Sequence, residues 1–213
     1  REIERLKKQL LSLSGMVEHS LRAAARAVVE RDGASAQSVI ASDRNIDAFE
    51  VDVEEECLKI LALHQPVATD LRFIVSVLRI NHDLERIGDL AVNIAKRALL
   101  IASHVPSPPV PDAFLHTAHC VQQMLKDSLD ALVNLDAAAA RRVCEADEAV
   151  DALCLKMYDE VKARIREQPH EVDMLLPVLL LPRHLERIAD HATNIAEDLI
   201  YMVEGEIVRH KVG

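Results

Sequence analysis

The chain has 213 residues and a formal charge of −10, from 25 Lys and Arg against 35 Asp and Glu, with five Gly, eight Pro and only five aromatics, none of them Trp. Half of the residues are apolar, and Ala and Leu dominate over strand formers, which excludes a β-sandwich or barrel and makes an all-α fold the expectation. No apolar run approaches the ~20 residues of a membrane span, and the acidic excess argues against nucleic acid, whose non-specific binding relies on Lys and Arg. Cations or basic protein surfaces are the expected partners.

Taken in chain order, helical periodicity begins at once, with a few leading residues expected ahead of Arg1, and is first interrupted at Asp32-Gly33. A second stretch ends at His64-Gln65-Pro66, and a third at the segment 104–111, where Pro106, Pro108, Pro109 and Pro111 forbid helix and favour an extended linker. A fourth runs to Asn134-Leu135-Asp136, a fifth to Gln168-Pro169-His170, and a sixth follows, with Pro177 expected in its first turn and a kink at Pro182. Six stretches of roughly 22–38 residues, at ~1.5 Å per residue, mean long antiparallel rods. The linker divides them into units 1–103 and 112–213, three helices each.

The units are related in sequence. Residues 82–99 laid over 183–200 agree at nine of eighteen positions with an offset of 101, and Asp43-x3-Asp47 lies over Asp147-x3-Asp151 at an offset of 104. A tandem repeat of one three-helix unit is expected, giving two pseudo-symmetric bundles. Gly88, which lets another helix approach closely, becomes Ala189 in the repeat. Cys57, Cys120, Cys144 and Cys154 form no Cys-x-x-Cys pair and read as small core or surface thiols of a reducing cytosol.

On the second helix Asp43, Asp47, Glu50 and Glu54 stack on one face, beside the apolar stripe Ile46, Phe49, Val53, Cys57 and Ile60. On the third, the core stripe Leu84, Ile87, Ala91 and Ile94 is flanked by Glu85, Asp89 and Asn93. The second half repeats both patterns, with Asp147 and Asp151 on one helix and Glu186, Asp190 and Asn194 on another. A single acid pair is ordinarily a solvated helix face. Four matched pairs, each repelling by ~0.2–0.5 kcal/mol, call for a counter-ion beyond what Arg44, Arg86 and Arg187 supply. Carboxylates from two facing helices provide the hard oxygen ligation of Mg, Mn or iron rather than a thiolate zinc site. His82, His184 and His191 lie close to the acids, but each reads more simply as a surface or core histidine.

No enzyme motif is present: the one Glu-x-x-His match, Glu167 to His170, contains Pro169 in a turn, and there is no His-Glu-x-x-His, phosphate loop, dinucleotide fingerprint or nucleophile elbow. Arg86 and Arg187 are expected to pair with carboxylates on neighbouring helices.

Gly15-Met-Val-Glu18, Asp43 through Asp47 and Glu50 to Cys57, Gln65-Pro66, Asp70-Leu-Arg72, Leu-Glu-Arg-Ile-Gly-Asp at 84–89 and its echo Leu-Glu-Arg-Ile-Ala-Asp at 185–190 with Asn194-Ile195 resemble the PhoU family, accessory regulators of bacterial phosphate-specific transport. The resemblance spans nearly the whole chain. It implies two pseudo-symmetric three-helix bundles carrying metal clusters, iron or zinc in the family, and a cytoplasmic, non-enzymatic negative regulator of the phosphate regulon. It further implies a homodimer that reaches the membrane only through its partners, the transporter's ATPase (PstB-like) and a sensor histidine kinase (PhoR-like).

Carried onto this chain, the resemblance implies one site of Asp43, Asp47, Glu50, Glu85 and Asp89 and a second of Asp147, Asp151, Glu186 and Asp190, with Glu54, Asn93 and Asn194 as further donors. The second is thinner, since Glu50 and Glu54 become Cys154 and Tyr158. Removing the nine acids from the charge of −10 would leave −1. Two other readings remain at this point: a carboxylate-bridged metal redox enzyme, and a metal-free helical scaffold for a different transporter.

Overall fold

In a computed structural model of the chain, which describes residues 2–205, the regular structure among those residues is helical. Helices α1 (Glu2–Glu30), α2 (Gly33–His64) and α3 (Ala68–Ser103) precede the linker, and α4 (Ala113–Asn134), α5 (Ala137–Glu167), α6 (Val172–Leu179) and α7 (Leu181–Glu204) follow it. The breaks that end α1 to α5 fall on turn signals. Asp32 accepts from the backbone N–H groups of Ala34 and Ser35 at 3.0 and 3.1 Å, capping α2, and Asp136 accepts from Ala139 N at 2.9 Å, capping α5. These caps lie 104 residues apart, the offset that relates the acid motifs. Gln65 and Leu135 close α2 and α4 in the left-handed conformation, at φ of 45° and 53°.

The last helix differs from the sequence expectation. It is two helices, broken at Leu180, with Pro177 inside α6 and Pro182 in the first turn of α7. A 3₁₀ turn, Pro169–Glu171, leads into α6. Pro182 would clash with the carbonyl of residue 178 in a continuous helix, so the chain interrupts before it and restarts where a missing N–H costs nothing.

α1, α2 and α3 pack on one another, as do α4, α5 and α7, and the two groups meet where α3 lies along α7 and α1 along α4. Burial follows the predicted stripes: Ile46, Val53, Cys57 and Ile60 of α2 and Leu84, Ile87, Ala91 and Ile94 of α3 are buried, with Phe49 partly so. Polar groups lie within the α3–α7 contact. Asp83 Oδ1 stands 2.7 Å from His191 Nδ1 and accepts from Asn194 Nδ2 at 3.2 Å. Asp198, 1% exposed, takes an ion pair from Arg79 at 3.2 Å, and its carbonyl accepts from Ser76 Oγ. Charges this deep are expensive unless paired, so these contacts set the register of the two halves. Asn81 Nδ2 likewise donates to the backbone carbonyl of Glu50 at 2.9 Å, tying α3 to α2.

Where α2 crosses α3, a Cβ on Gly88 would stand 3.2 Å from Ile46 Cγ2 and 3.9 Å from Asp43 Oδ1. The close approach expected of Gly88 is therefore present, at the acid motif itself. At the corresponding positions of the second half, Val150 and Ala189 are both buried. One methyl has been removed from one helix and one added to the other, conserving volume. Ile46→Val leaves a void worth about 1 kcal/mol, and Gly88→Ala crowds Ile46 while gaining helix propensity of ~1 kcal/mol. The double variant should be more stable than the two single effects predict, by at least ~0.5 kcal/mol in a denaturant double-mutant cycle; strict additivity would show that the two sites do not share this contact.

Candidate functional site

The acids predicted from spacing lie at the edge of the core on paired helices. Asp43, Glu50, Glu85, Asp89 and Asn93 are half-buried, while Asp47 and Glu54 are exposed. Burial is the first cause that lifts the Asp43 carboxyl above its ordinary range, followed by the charges of Asp47 and Asp89, with Lys96 opposing. Glu50 is raised by burial and then by Glu54, and Glu85 by burial and then by Asp89, while His82 and Arg86 pull both back. The α2 and α3 carboxylates thus share one field.

The second half repeats part of this pattern: Asp147 is half-buried and Asp151 exposed, as Asp43 and Asp47 are, while Glu186 and Asp190 are more exposed than Glu85 and Asp89, and Cys154 and Tyr158 stand in place of Glu50 and Glu54. Asp147 is pushed up to about 6, by burial first and then by Asp151, Asp190 and Glu186, with the Thr193 hydroxyl opposing. Burial and Asp151 raise both Glu186 and Asp190. Asp43 feels Asp47 and Asp89; its repeat mate Asp147 feels Asp151 and Asp190. The correspondence extends to single atoms, because Asp43 Oδ1 and Asp147 Oδ1 are both buried without a hydrogen-bond partner.

Among the described residues no group of three or more His, Cys, Asp or Glu side chains is gathered tightly enough to hold a metal as it stands. The donor set nonetheless fits a hard cation: oxygen ligands on two facing helices, buried carboxylate oxygens without a hydrogen-bond partner (Asp43 Oδ1 and Glu85 Oε2 in the first half, Asp147 Oδ1 in the second), and mutual repulsion that a cation would relieve. The thiols are poor alternatives. Burial lifts Cys154 and Cys57 to about 12 and Cys144 to about 11, far from thiolate at neutral pH.

Several neighbours take other roles. Arg86 pairs with Glu85 at 3.4 Å and Asp89 at 3.2 Å, on its own helix rather than on a neighbouring one; Asp89 lies one turn on, within i,i+3 reach, and Glu85 is the residue just before Arg86. Arg187 makes no ion pair among the described residues. Of the histidines, His82 lies 4.0 Å from Glu85, and His191 faces Asp83 across the two halves. His184 is held neutral, pushed down to about 4 by burial and then by Arg97, Arg187 and Arg183, with both ring nitrogens unpartnered.

Sequence reasoning passed over Asp83 and Asp198. The signal was present, since each acid sits in apolar register, Asp83 between Ile80 and Ile87 and Asp198 between Ile195 and Met202. It also passed over a pocket of about 670 Å³ beside the second cluster, lined by Asp151, Leu155, Tyr158, Arg183, Glu186 and Arg187 among others.

A duplicated three-helix unit whose paired helices carry matched acidic clusters at the core edge defines a class of helical proteins. The chain belongs to one family of that class, PhoU: the family model described as PhoU domain matches residues 10–98 and 114–199. It is 39% identical over 98% of its length to a Pseudomonas putida protein named phosphate-specific transport system accessory protein PhoU homolog, covering 82% of that protein. It is 34% identical over its whole length to the Escherichia coli accessory protein PhoU, covering 88% of it. The crystal structure of PhoU from Pseudomonas aeruginosa superposes with a TM-score of 0.90 at 36% identity, over 96% of this chain and 98% of that one. The phosphate transport system regulatory protein PhoU from Streptococcus pneumoniae superposes at 0.91 with 29% identity, over 97% of each.

Because Asp147 is held above the usual carboxylate range in the folded chain, the folded state takes up a proton before the unfolded chain does as pH falls through about 6. The metal-free protein should therefore gain stability from pH 7.5 to 5, as the neighbouring raised carboxyls act in the same direction. Asp147→Asn should raise its pH 7.5 melting temperature by ~2–4 °C, about 1 kcal/mol after allowance for solvent screening, and flatten the pH dependence. Melting curves across that range check both.

Proposed function

We propose that the chain acts as an accessory, regulatory protein of a phosphate-specific transport system, in the cytoplasm and without enzymatic activity. The observation that carries this reading is its likeness, over nearly all of its length and in fold, to proteins named for that role. Among the described residues no helix is long and apolar enough to cross a membrane, consistent with a protein that reaches the transporter by binding it.

In this reading each half holds metal ions, iron, zinc, manganese or magnesium, in its acidic cluster. Asp43, Asp47, Glu50, Glu85 and Asp89 hold the first, and Asp147, Asp151, Glu186 and Asp190 the second, with Glu54 and Asn93 near the first. Asn194 is already donating to Asp83 and contributes by fixing α7 against α3. A bound cation would supply charge neutralisation. The chain's own part is to present carboxylates from two helices at once, so that cation binding fixes α2 on α3 and α5 on α7.

In this reading the chain is a negative adaptor: cluster-fixed helix pairs present one surface to the transporter's ATPase (PstB-like) and another to a sensor histidine kinase (PhoR-like), as a homodimer. Helix surfaces of fixed geometry suit binding to partner proteins. The second half carries 11 Lys and Arg against 19 Asp and Glu in residues 104–213, and that surplus is offered to a basic partner surface.

Metal analysis of the purified protein should find bound metal that falls by about half when Asp43, Asp47, Glu85 and Asp89 are changed to Ala and is lost when Asp147, Asp151, Glu186 and Asp190 are changed as well. Equal, negligible metal in all three would remove the metal centres from the reading. A pull-down from phosphate-replete cells should recover the transporter ATPase and the kinase with the unaltered protein; recovery of neither would overturn the adaptor role.

A further inference from the structure

The two halves differ most at one end of their acidic clusters. In the first half that end carries Glu50, Glu54 and His82; at the repeat offsets the second half has Cys154, Tyr158 and Arg183. Two carboxylates have been lost and a permanent cation gained. The pocket of about 670 Å³ opens there, between α5 and α7.

Its charged lining carries both signs. Asp151, Glu186 and Glu148 bring negative charge; Arg183 and Arg187 bring positive charge. Neither guanidinium makes an ion pair among the described residues, although Arg183 lowers Glu186 and Arg187 lowers Asp190 through the field. The contrast with the first half is direct, since Arg86, the repeat mate of Arg187, is engaged by both Glu85 and Asp89. Guanidinium forks without a carboxylate partner suit an incoming oxyanion, which they bind in bidentate fashion. Pro182, Leu155, which is 62% exposed, and Tyr158, 38% exposed, complete the wall with apolar surface. Lys162 stands 5.0 Å from the centroid of the Tyr158 ring, outside the pocket lining, and is paired with Asp159 at 3.8 Å.

An anion alone would meet the carboxylates, and a cation alone would meet the arginines. The lining matches both together. We infer that this pocket binds a phosphate monoester paired with a divalent cation, with the phosphate on Arg183 and Arg187, the cation on the Asp151 and Glu186 side, and the ester's organic part against Leu155 and Tyr158. The volume fits a small organic ligand and is larger than inorganic phosphate needs. In the first half Glu50, Glu54 and His82 stand at the positions of Cys154, Tyr158 and Arg183, and Arg86 is already paired with Glu85 and Asp89. This inference rests on cation binding by the second cluster, and its test separates the two.

The whole chain is loaded with Mn²⁺, its metal content is measured, and the ³¹P relaxation of inorganic phosphate and of phenyl phosphate is followed as a function of protein concentration. Bound Mn²⁺ should strongly enhance relaxation of phenyl phosphate, with weaker binding of inorganic phosphate. Arg183→Ala with Arg187→Ala should retain Mn²⁺ and bind phenyl phosphate roughly tenfold more weakly or worse. The Lys pair at the same positions, which keeps charge and is the safer variant for folding, should fall between. Arg86→Ala should bind it as the unaltered protein does. If Mn²⁺ does not bind at all, the metal reading above fails and this one with it. If Mn²⁺ is retained but both arginine variants relax phenyl phosphate as the unaltered protein does, the pocket assignment is overturned while the metal reading stands. A loss caused by Arg86→Ala would overturn the placement in the second half, and equal binding of the two phosphates would overturn the ester.

Discussion

The rest of this structure depends on like charges being held together at the margin of a hydrophobic seam. α2 meets α3, and α5 meets α7, along stripes of Ile, Val, Leu and Ala that exclude water, and the carboxylates are carried on the residues beside those stripes. Apolar burial of ~25 cal/mol per Å² across such long helices far exceeds repulsion of a few tenths of a kcal/mol per pair. The seam therefore fixes the acids in place whatever their charge. Asp147 shows the cost most clearly, since it is poised to take up a proton near pH 6. A chain that keeps this arrangement twice has a standing demand for positive charge at two defined places.

The same helices carry the junction between the halves. α3 and α7 present acids toward α2 and α5, and present Asp83, Arg79, His191, Asn194 and Asp198 toward each other. Asp190, in the second cluster, is followed immediately by His191, which faces Asp83 of the first half. Each of these two helices is thus a wall shared by a cluster and by the junction. The deep polar pairs there add little net stability against an apolar alternative, but they permit only one register of α3 along α7.

Much of this was legible in the sequence because long helices with few Gly announce their own boundaries. Asp32, Gln65-Pro66, the prolines of 104–111, Asp136 and Pro169 each stop or start a helix as their local chemistry requires. The acid clusters were legible because spacing of three and four residues fixes a helix face, and because the repeat supplied a second reading of it. Pro177 and Pro182 misled, since two prolines five residues apart restrict where a helix can run without saying which side of each it will break. Arg86 misled in another way: a side chain that long reaches carboxylates on its own helix, and sequence does not rank the reachable partners. The pairing of Asp83 with His191 depends on how α3 and α7 are juxtaposed, which periodicity within one helix does not encode. The pocket beside the second cluster is a three-dimensional consequence of replacing Glu50, Glu54 and His82 by Cys154, Tyr158 and Arg183, visible in sequence only as a thinner ligand set.

The exchange of a methyl between the two helix crossings bears on how a duplicated chain folds. Two similar units on one chain risk pairing the wrong helices, a characteristic failure of repeat proteins. Were α2 to seat on α7, Ile46 would press on Ala189 with a carbon too many; were α5 to seat on α3, Val150 would leave a gap above Gly88. Each mismatch costs on the order of 1 kcal/mol, and a full exchange incurs both. The correct partners are distinguished by steric complement as well as by order along the chain, so the two copies have become a lock and key pair of seams that do not interchange.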